Sequence, residues 1–179
     1  TSRTLALYCR NIALCIGVLF CLIKRIGTML KTLSVVGPTD GSWSQTLSHH
    51  NLLAVVEIAG TEHAHATIHE LVTAITNSCE GVVSMDLARL KTLMASLPLT
   101  SQTHVLLGFL QGNVLYLVSS GNGTVYIKRG RKCVQILSGS ASMSGQLKPN
   151  DRIILCSPIF ARLIQSKNHH ELFGQEPFT

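Results

Sequence analysis

Helical and strand periodicity alternate along this chain, and the order in which they occur predicts its architecture. The apolar run Leu52–Glu57 predicts a first strand. Apolar residues then recur at helical spacing over Glu62–Cys79. A second helix is predicted to begin at Ser84 as its N-cap and to end at Pro98.

From His104 onward the pattern is that of short strands separated by turns. The predicted strands are His104–Gln111, Val114–Ser119, Thr124–Lys128, Cys133–Leu137 and Arg152–Cys156. Asn-Gly is a strong hairpin signal, so residues 121–123 are predicted to form a hairpin turn. Ser138–Ser144 is predicted to be a loop and Ile159–Gln165 a short helix. A strand, two helices and then a series of antiparallel strands predict an α+β fold with helices packed on a sheet.

The N-terminal region has a different pattern. Residues 1–33 form an apolar leader that ends in basic residues, and 34–179 form the predicted domain, which opens with the polar stretch Val36–His50. Within the leader, Ile12–Ile23 is uninterrupted but shorter than a spanning helix, which needs roughly 20 residues. A buried helix and a membrane anchor therefore both remain open. Lys24, Arg25 and Lys31 would keep the following part in the cytoplasm if the segment inserts.

Composition narrows the class of protein. The apolar fraction of 46% and the charged fraction of 13% exclude a disordered chain. The net charge is +6, but the cations are scattered, with one dense run over Lys128–Lys132. Aromatic residues make up only 5%, so no nucleic acid partner is expected. The dense run is interpreted as a solvated hairpin, or as a surface for an acidic partner or anionic lipid.

The six cysteines contain no C-x-x-C pair, which argues against a zinc knuckle. They are interpreted as buried free thiols in a reducing compartment, and the expected localisation is cytoplasmic.

Three segments, in order, resemble the metal-dependent PPM-type (protein phosphatase 2C-like) Ser/Thr phosphatases. LAVVEIAG at 53–60 occupies the place of the family's A-V-x-D-G-x-G-G motif. VLYLV at 114–118 and GNGTVY at 121–126 resemble the paired strands around its G-D-S-R-A-Y motif, and LKPNDRIILCS at 147–157 resembles its L-x-P-G-D-x-L-L-L-C-S-D-G strand. The resemblance implies an α-β-β-α sandwich of mostly antiparallel sheets flanked by helices.

The resemblance also implies a chemistry that the residues do not fully support. The family uses Mg²⁺ or Mn²⁺ ions, held by several carboxylates, to activate water for attack on a phosphoester. Here Glu57 stands for a ligand Asp and Ile58 for the Gly that follows it, while Pro158 stands where another ligand Asp is expected. The family's last metal-binding Asp falls beyond residue 179. Asp40 and Glu57 are therefore the two candidate metal ligands, and Asp151 matches a structural turn residue.

Other candidate sites are weaker. Glu62, His65 and His69 could share one helix face and bind a transition metal, or be solvated residues of a helix N-terminus. His104 stands alone at the start of a strand. The serines of Ser138–Ser144 lack the G-x-S-x-G elbow of a serine hydrolase.

The leading hypothesis is a pseudophosphatase that acts in signalling by binding a protein partner or phosphoprotein, with no cofactor. An active, divergent Ser/Thr phosphatase using Asp40, Glu57 and Mn²⁺ or Mg²⁺ is the alternative. A third hypothesis is a membrane-associated structural protein that works through its N-terminal segment.

Overall fold

The computed structural model describes residues 20–26, 29–35, 42–60 and 63–166. Within them ten strands form two antiparallel five-stranded sheets. The first sheet has the order β2-β1-β10-β7-β8 and the second the order β3-β4-β5-β6-β9. The strands are β1 Phe20–Ile26, β2 Met29–Val35, β3 Ser42–His49, β4 Leu52–Ala59, β5 Thr103–Gln111, β6 Val114–Ser120, β7 Thr124–Arg129, β8 Lys132–Ser138, β9 Ala141–Gln146 and β10 Arg152–Cys156.

Three helices flank the sheets: α1 Ala64–Cys79, α2 Leu87–Ser96 and α3 Pro158–Ser166. The inner faces of α1 and α2 pack on one face of the second sheet and bury Leu71, Ile75 and Leu90. The other face packs against the first sheet, with Leu106, Leu117 and Leu155 in that inter-sheet core. Helix α3 contacts β10. The α+β sandwich predicted from the sequence is therefore confirmed.

The N-terminal strands correct the interpretation of part of the leader. β1 pairs with β10 through residues 20–24 on one side and with β2 along its whole length on the other. Residues 20–26 and 29–33, placed in the leader by their composition, are thus strands of the first sheet. A continuous apolar run suits a strand covered on both faces as well as a helix, and periodicity cannot separate the two. Residues 1–19 lie outside the described part, so membrane anchoring stays a prediction.

No helix in the described residues is both long enough and apolar enough to cross a bilayer.

Two further strands occur where the sequence predicts a polar stretch and a loop. Ser42–His49, inside the predicted polar stretch, forms the edge strand β3, and Ala141–Gln146 overlaps the predicted loop and forms β9. Both strands lie at the edges of the second sheet and expose several side chains. An edge strand needs backbone pairing but little apolar surface, and its sequence therefore lacks the alternation that identifies central strands.

The second helix begins two residues later than predicted. Asp86, not Ser84, is the N-cap, because its Oδ1 accepts the backbone N–H of Arg89 at 2.8 Å. The preceding Met85 is buried, and its N–H donates to Oε1 of Gln111 at 3.1 Å. This anchor holds the chain extended through residue 85, and the helix starts after it.

Residues 121–123 do not form a hairpin. β6 belongs to the second sheet and pairs with β5 and β9, while β7 belongs to the first and pairs with β10 and β8. The Gly121–Gly123 segment therefore crosses from one sheet to the other. Gly121 has φ +88°, and its N–H donates to Oγ of Ser140 at 2.9 Å. The Asn-Gly signal correctly predicted a turn but not which strands it joins.

Candidate functional site

Glu57 lies between the two sheets near the end of β4. It shares its strand face with Leu53 and Val55, which belong to the inter-sheet core. Only 3% of the residue is exposed, and its Oε2 has no hydrogen-bond partner within the described chain. A buried carboxyl oxygen in this position is costly unless a donor, a cation or a proton satisfies it. Glu57 is therefore the strongest candidate for a ligand-binding group.

Two polar residues flank Glu57 in direct register. Ser44 of β3 lies opposite it on one side, and His104 of β5 lies opposite it on the other. Cross-strand partners project from the same face of a sheet, so the three side chains form a row on the inter-sheet face. Oγ of Ser44 is buried and, like Oε2 of Glu57, has no partner among described residues.

His104 is positioned by the segment that crosses between the sheets. Its Nδ1 accepts the backbone N–H of Asn122 at 3.3 Å. In a neutral ring this bond places the proton on Nε2. A Cβ added at Gly121 would collide with the His104 ring, because it would lie only 3.1 Å from Cγ of His104. Glycine at 121 thus permits both the positive φ and the close approach of the imidazole.

More hydroxyl groups gather at this end of the sandwich, where β4, β6 and β10 end and β5 and β7 begin. Oγ of Ser119 is buried without a partner in the described residues, and a Cβ at Gly123 would lie 2.9 Å from it. Ser157 follows β10, and its Oγ accepts the N–H of Phe160 at 3.4 Å, which caps α3. We call Ser44, Glu57, His104, Ser119 and residues 121–123 the Glu57 end.

The other predicted ligands are only partly accounted for. Asp40 lies outside the described residues, two positions before the first residue of β3. Glu62 also lies outside them. The ring of His65 makes an edge contact with Trp43 at a centroid distance of 5.0 Å, and Nδ1 of His69 lies 3.1 Å from Oγ1 of Thr73.

Across the described ranges, no three His, Cys, Asp or Glu side chains come close enough together to hold a metal ion. The remaining acidic groups there have other positions. Asp86 caps α2, and Glu70 and Glu80 are exposed on α1 or just after it.

Asp151 has the structural role expected of its turn. Its Oδ1 and Oδ2 accept from Nε and Nη2 of Arg129 at 2.8 and 2.6 Å, and Oδ2 also accepts the N–H of Lys148 at 2.7 Å. Burial would raise the pKa of Asp151, but the hydrogen bonds from Arg129 and Lys148, with their positive charge, hold it below its usual value. This carboxylate joins the β7–β8 turn to the start of β10.

Two of the three cysteines whose side chains the structure describes agree with the prediction of buried thiols, and Cys133 is only half-buried. Cys79, Cys133 and Cys156 are free, and Cys79 and Cys156 are buried. Burial raises the pKa of the Cys156 thiol well above its usual value. It therefore remains protonated at neutral pH and is a poor nucleophile.

The donor set at the Glu57 end does not fit a pair of hard dications. Mg²⁺ and Mn²⁺ prefer several oxygen ligands with surplus negative charge. The described residues supply one carboxyl group, one imidazole and hydroxyls. We therefore derive no catalytic step through such a centre. Sequence reasoning missed Ser44 and did not connect His104 with Glu57, because only the strand register brings the three residues together.

No protein-family profile matches the sequence, and no curated protein matches it significantly. Among solved structures, the chain is similar to the catalytic domain of the serine/threonine protein phosphatase PstP in complex with two manganese ions. The TM-score is 0.53 at 15% identity, covering 78% of this chain and 77% of that chain. It is also similar to the phosphatase domain of SpoIIE from Bacillus subtilis, with TM-score 0.44 and 18% identity, covering 75% of this chain and 63% of that one. The first similarity confirms the PPM-like fold.

Proposed function

We propose that this chain is a PPM-type phosphatase-like domain that acts in signalling by binding a protein partner and does not itself hydrolyse phosphoesters. The observation that supports the proposal most strongly is the composition of the Glu57 end. Glu57 is the one carboxyl group that the described residues place between the sheets. Hydrolysis by a metal pair needs several such groups to hold the ions, activate water and neutralise the phosphoryl oxygens.

The surface beside the Glu57 end offers a site for a protein partner. Trp43, the second residue of β3, is 51% exposed and packs its ring against His65 of α1. A large aromatic side chain that is held in place but still exposed is typical of the residues that contribute most to protein interfaces. We therefore place the partner over the outer side of β3 and the first turns of α1.

The test is a phosphatase assay on the purified chain with Mn²⁺ and with Mg²⁺, using p-nitrophenyl phosphate and a phosphothreonine peptide. We expect no turnover above the metal-containing buffer in the wild type or in Glu57→Gln. Glu70→Gln, an exposed change on α1, is the matched control. Metal-dependent turnover that is lost in Glu57→Gln and retained in Glu70→Gln would overturn the proposal.

The active alternative rests on one specific observation, namely that Oε2 of Glu57 is buried and unpartnered within the described chain. With Asp40 as a second ligand, this oxygen could hold a cation. Titration of Mn²⁺ by calorimetry into wild type, Asp40→Ala and Glu57→Ala separates the two proposals. Saturable binding that both variants abolish favours the divergent enzyme, and absence of binding favours the partner-binding domain.

Membrane association through the N-terminal segment remains a separate proposal, as does the cytoplasmic location of the domain. Because β1 and β2 belong to the first sheet, the deletion that tests it should remove residues 1–19 and leave residue 20 onward. Release of the shortened protein from membranes would support anchoring, and unchanged partitioning would contradict it.

A further inference from the structure

Basic residues that are scattered in the sequence meet at one end of the first sheet. Lys31 of β2, Lys24 of β1, Arg152 of β10 and Lys128 of β7 are successive register partners across four adjacent strands. This row lies at the end of the sandwich opposite Glu57, where β1 and β7 end and β10 begins.

The turns beyond this row add more positive charge. Arg131 lies in the turn from β7 to β8, Lys132 is the first residue of β8, and Lys148 lies in the turn before β10; all three are exposed. Arg152 is buried, and both it and Lys128 have interactions within the chain, so the argument depends on the exposed three. We call the exposed cations of these two turns and their flanks the basic rim: Arg129, Arg131, Lys132 and Lys148.

Negative charge at the rim is already neutralised. Asp151 is the one carboxylate in the described strands of the first sheet and their turns, and Arg129 binds both of its oxygens. The guanidinium side chain is nevertheless 47% exposed. In these strands and turns, the exposed Arg131, Lys132 and Lys148 therefore meet no carboxylate other than Asp151.

The shape of the rim selects among anionic ligands. It consists of strand ends and turn tips, with Gly130 at φ +58° at the tip of the β7–β8 turn. Projecting tips meet a broad surface better than they enclose a small molecule. Among the described residues, Trp43 is the one strongly exposed aromatic, and it lies at the Glu57 end. Stacking of bases, on which single-stranded nucleic acid binding depends, has no platform here.

One apolar residue accompanies the cations. Val134 of β8, two positions after Lys132, is 53% exposed. A surface that binds lipid combines basic residues, which meet anionic headgroups, with apolar groups that enter the interface. We propose that the basic rim binds the surface of a bilayer containing anionic phospholipid. This inference is independent of the proposed function and of the N-terminal segment.

Vesicle co-sedimentation of the full chain tests the proposal, with phosphatidylcholine vesicles that contain or lack phosphatidylserine. Arg131→Glu/Lys132→Glu is the test variant. Lys91→Glu/Arg162→Glu is the control, because it reverses one exposed Lys and one exposed Arg on the helices and lowers the net charge equally. Circular dichroism checks that both variants fold, and Arg131→Gln/Lys132→Gln replaces the test variant if charge reversal impairs folding.

We expect the wild type to bind phosphatidylserine vesicles more tightly than neutral ones, and to lose this preference in high salt. The rim variant should bind phosphatidylserine vesicles at least about 30-fold more weakly. Each basic residue near such a surface contributes about fivefold to the affinity, and the variant removes two of them. The affinity of the control variant for these vesicles should change by less than about 3-fold, because its substitutions affect only the long-range, screened part of the attraction.

Three results would overturn the proposal. Equal losses of vesicle affinity in the two variants would indicate that binding depends on net charge and not on the basic rim. Equal binding to neutral vesicles would indicate apolar insertion by another segment. Rim-dependent binding of an RNA oligonucleotide without rim-dependent binding of lipid would identify a different polyanion as the ligand.

Discussion

The two ends of the sandwich differ in how their polar groups are satisfied. At the Glu57 end, acceptor oxygens of Ser44, Glu57 and Ser119 are buried without partners in the described chain. At the basic rim, both oxygens of Asp151 are hydrogen bonded, and cations surround it. Unsatisfied buried groups cost stability and are retained where they contribute to function, whereas satisfied networks secure the fold. From this comparison we expect a bound cation or hydrogen-bond donor to stabilise the Glu57 end more than the basic rim.

Replacing glycines should give the largest difference in stability loss between the two ends of the sandwich. Gly121→Ala should lower the free energy of unfolding by about 2–3 kcal/mol, because it combines a strained positive φ with a collision against His104. Gly112→Ala, in the β5–β6 turn at the opposite end, has φ +61° and open space for a Cβ. It should cost about 1 kcal/mol.

Urea denaturation of the two variants measures this difference. An equal loss at both positions would show that His104 does not occupy its place against the crossing segment. The same comparison should appear in the His104 imidazole NMR signals, which Gly121→Ala should shift and Gly112→Ala should leave unchanged.

Loss of the Asp151 carboxylate, which lies at the basic rim, should have the next largest effect on the free energy of unfolding. Asp151→Asn should lower the free energy of unfolding by roughly 1–2 kcal/mol, a figure reduced for the screening of a partly exposed ion pair. Asn150→Gly is the control, because position 150 is exposed and its φ of +67° suits glycine, so this change should not produce the same loss. Thermal denaturation of Asp151→Asn and Asn150→Gly provides the measurement, and equal melting temperatures would contradict the role of the carboxylate.

The contribution of Asp151 should also depend on pH in a defined direction. Because the folded state lowers its pKa, the stabilisation is present above the pKa of the unfolded chain and is lost as the pH falls through the lower, folded value. The difference in stability between wild type and Asp151→Asn should therefore be constant near neutral pH and shrink in acid. A difference that grows on acidification would contradict this assignment.

Substitution of Glu57 should give the smallest change in the free energy of unfolding, and in the opposite direction. Glu57→Gln replaces a buried carboxyl group, one oxygen of which has no partner among described residues, by a neutral group of the same shape. We expect the free energy of unfolding to stay equal or to rise by up to about 1 kcal/mol. Melting curves with and without Mn²⁺ measure this change against Glu70→Gln. Mn²⁺-dependent stabilisation seen in the wild type and Glu70→Gln but missing in Glu57→Gln would identify a metal site.

The central elements of this fold could be predicted from the sequence because their patterns follow directly from burial. β10 was predicted with its observed bounds, and β4 and α1 within two residues at each end. The position of Glu57 near the end of β4 could also be predicted, since its strand was recognisable, while its role as a metal ligand stays a prediction. β3 and β9 could not, because an edge strand is stabilised by backbone pairing that leaves no apolar period in its sequence.

Features that depend on register were beyond the sequence. The Asn-Gly turn at 122–123 predicts a reversal, but only the partners of β6 and β7 show that the chain changes sheets there. The row from Lys31 to Lys128 likewise consists of residues far apart in the chain, so a scan for dense charge finds only Lys128–Lys132. His104 was interpreted as an isolated residue for the same reason.

The pairing of β1 with β10 has a consequence for the order of folding. It joins the start of the described chain to a strand near its end, so the first sheet cannot be completed during synthesis until β10 has left the ribosome. Contacts between distant segments are slow to form, and until then the apolar hairpin of β1 and β2 lacks its central neighbour. This hairpin is therefore the segment that a chaperone would be expected to protect in the nascent chain.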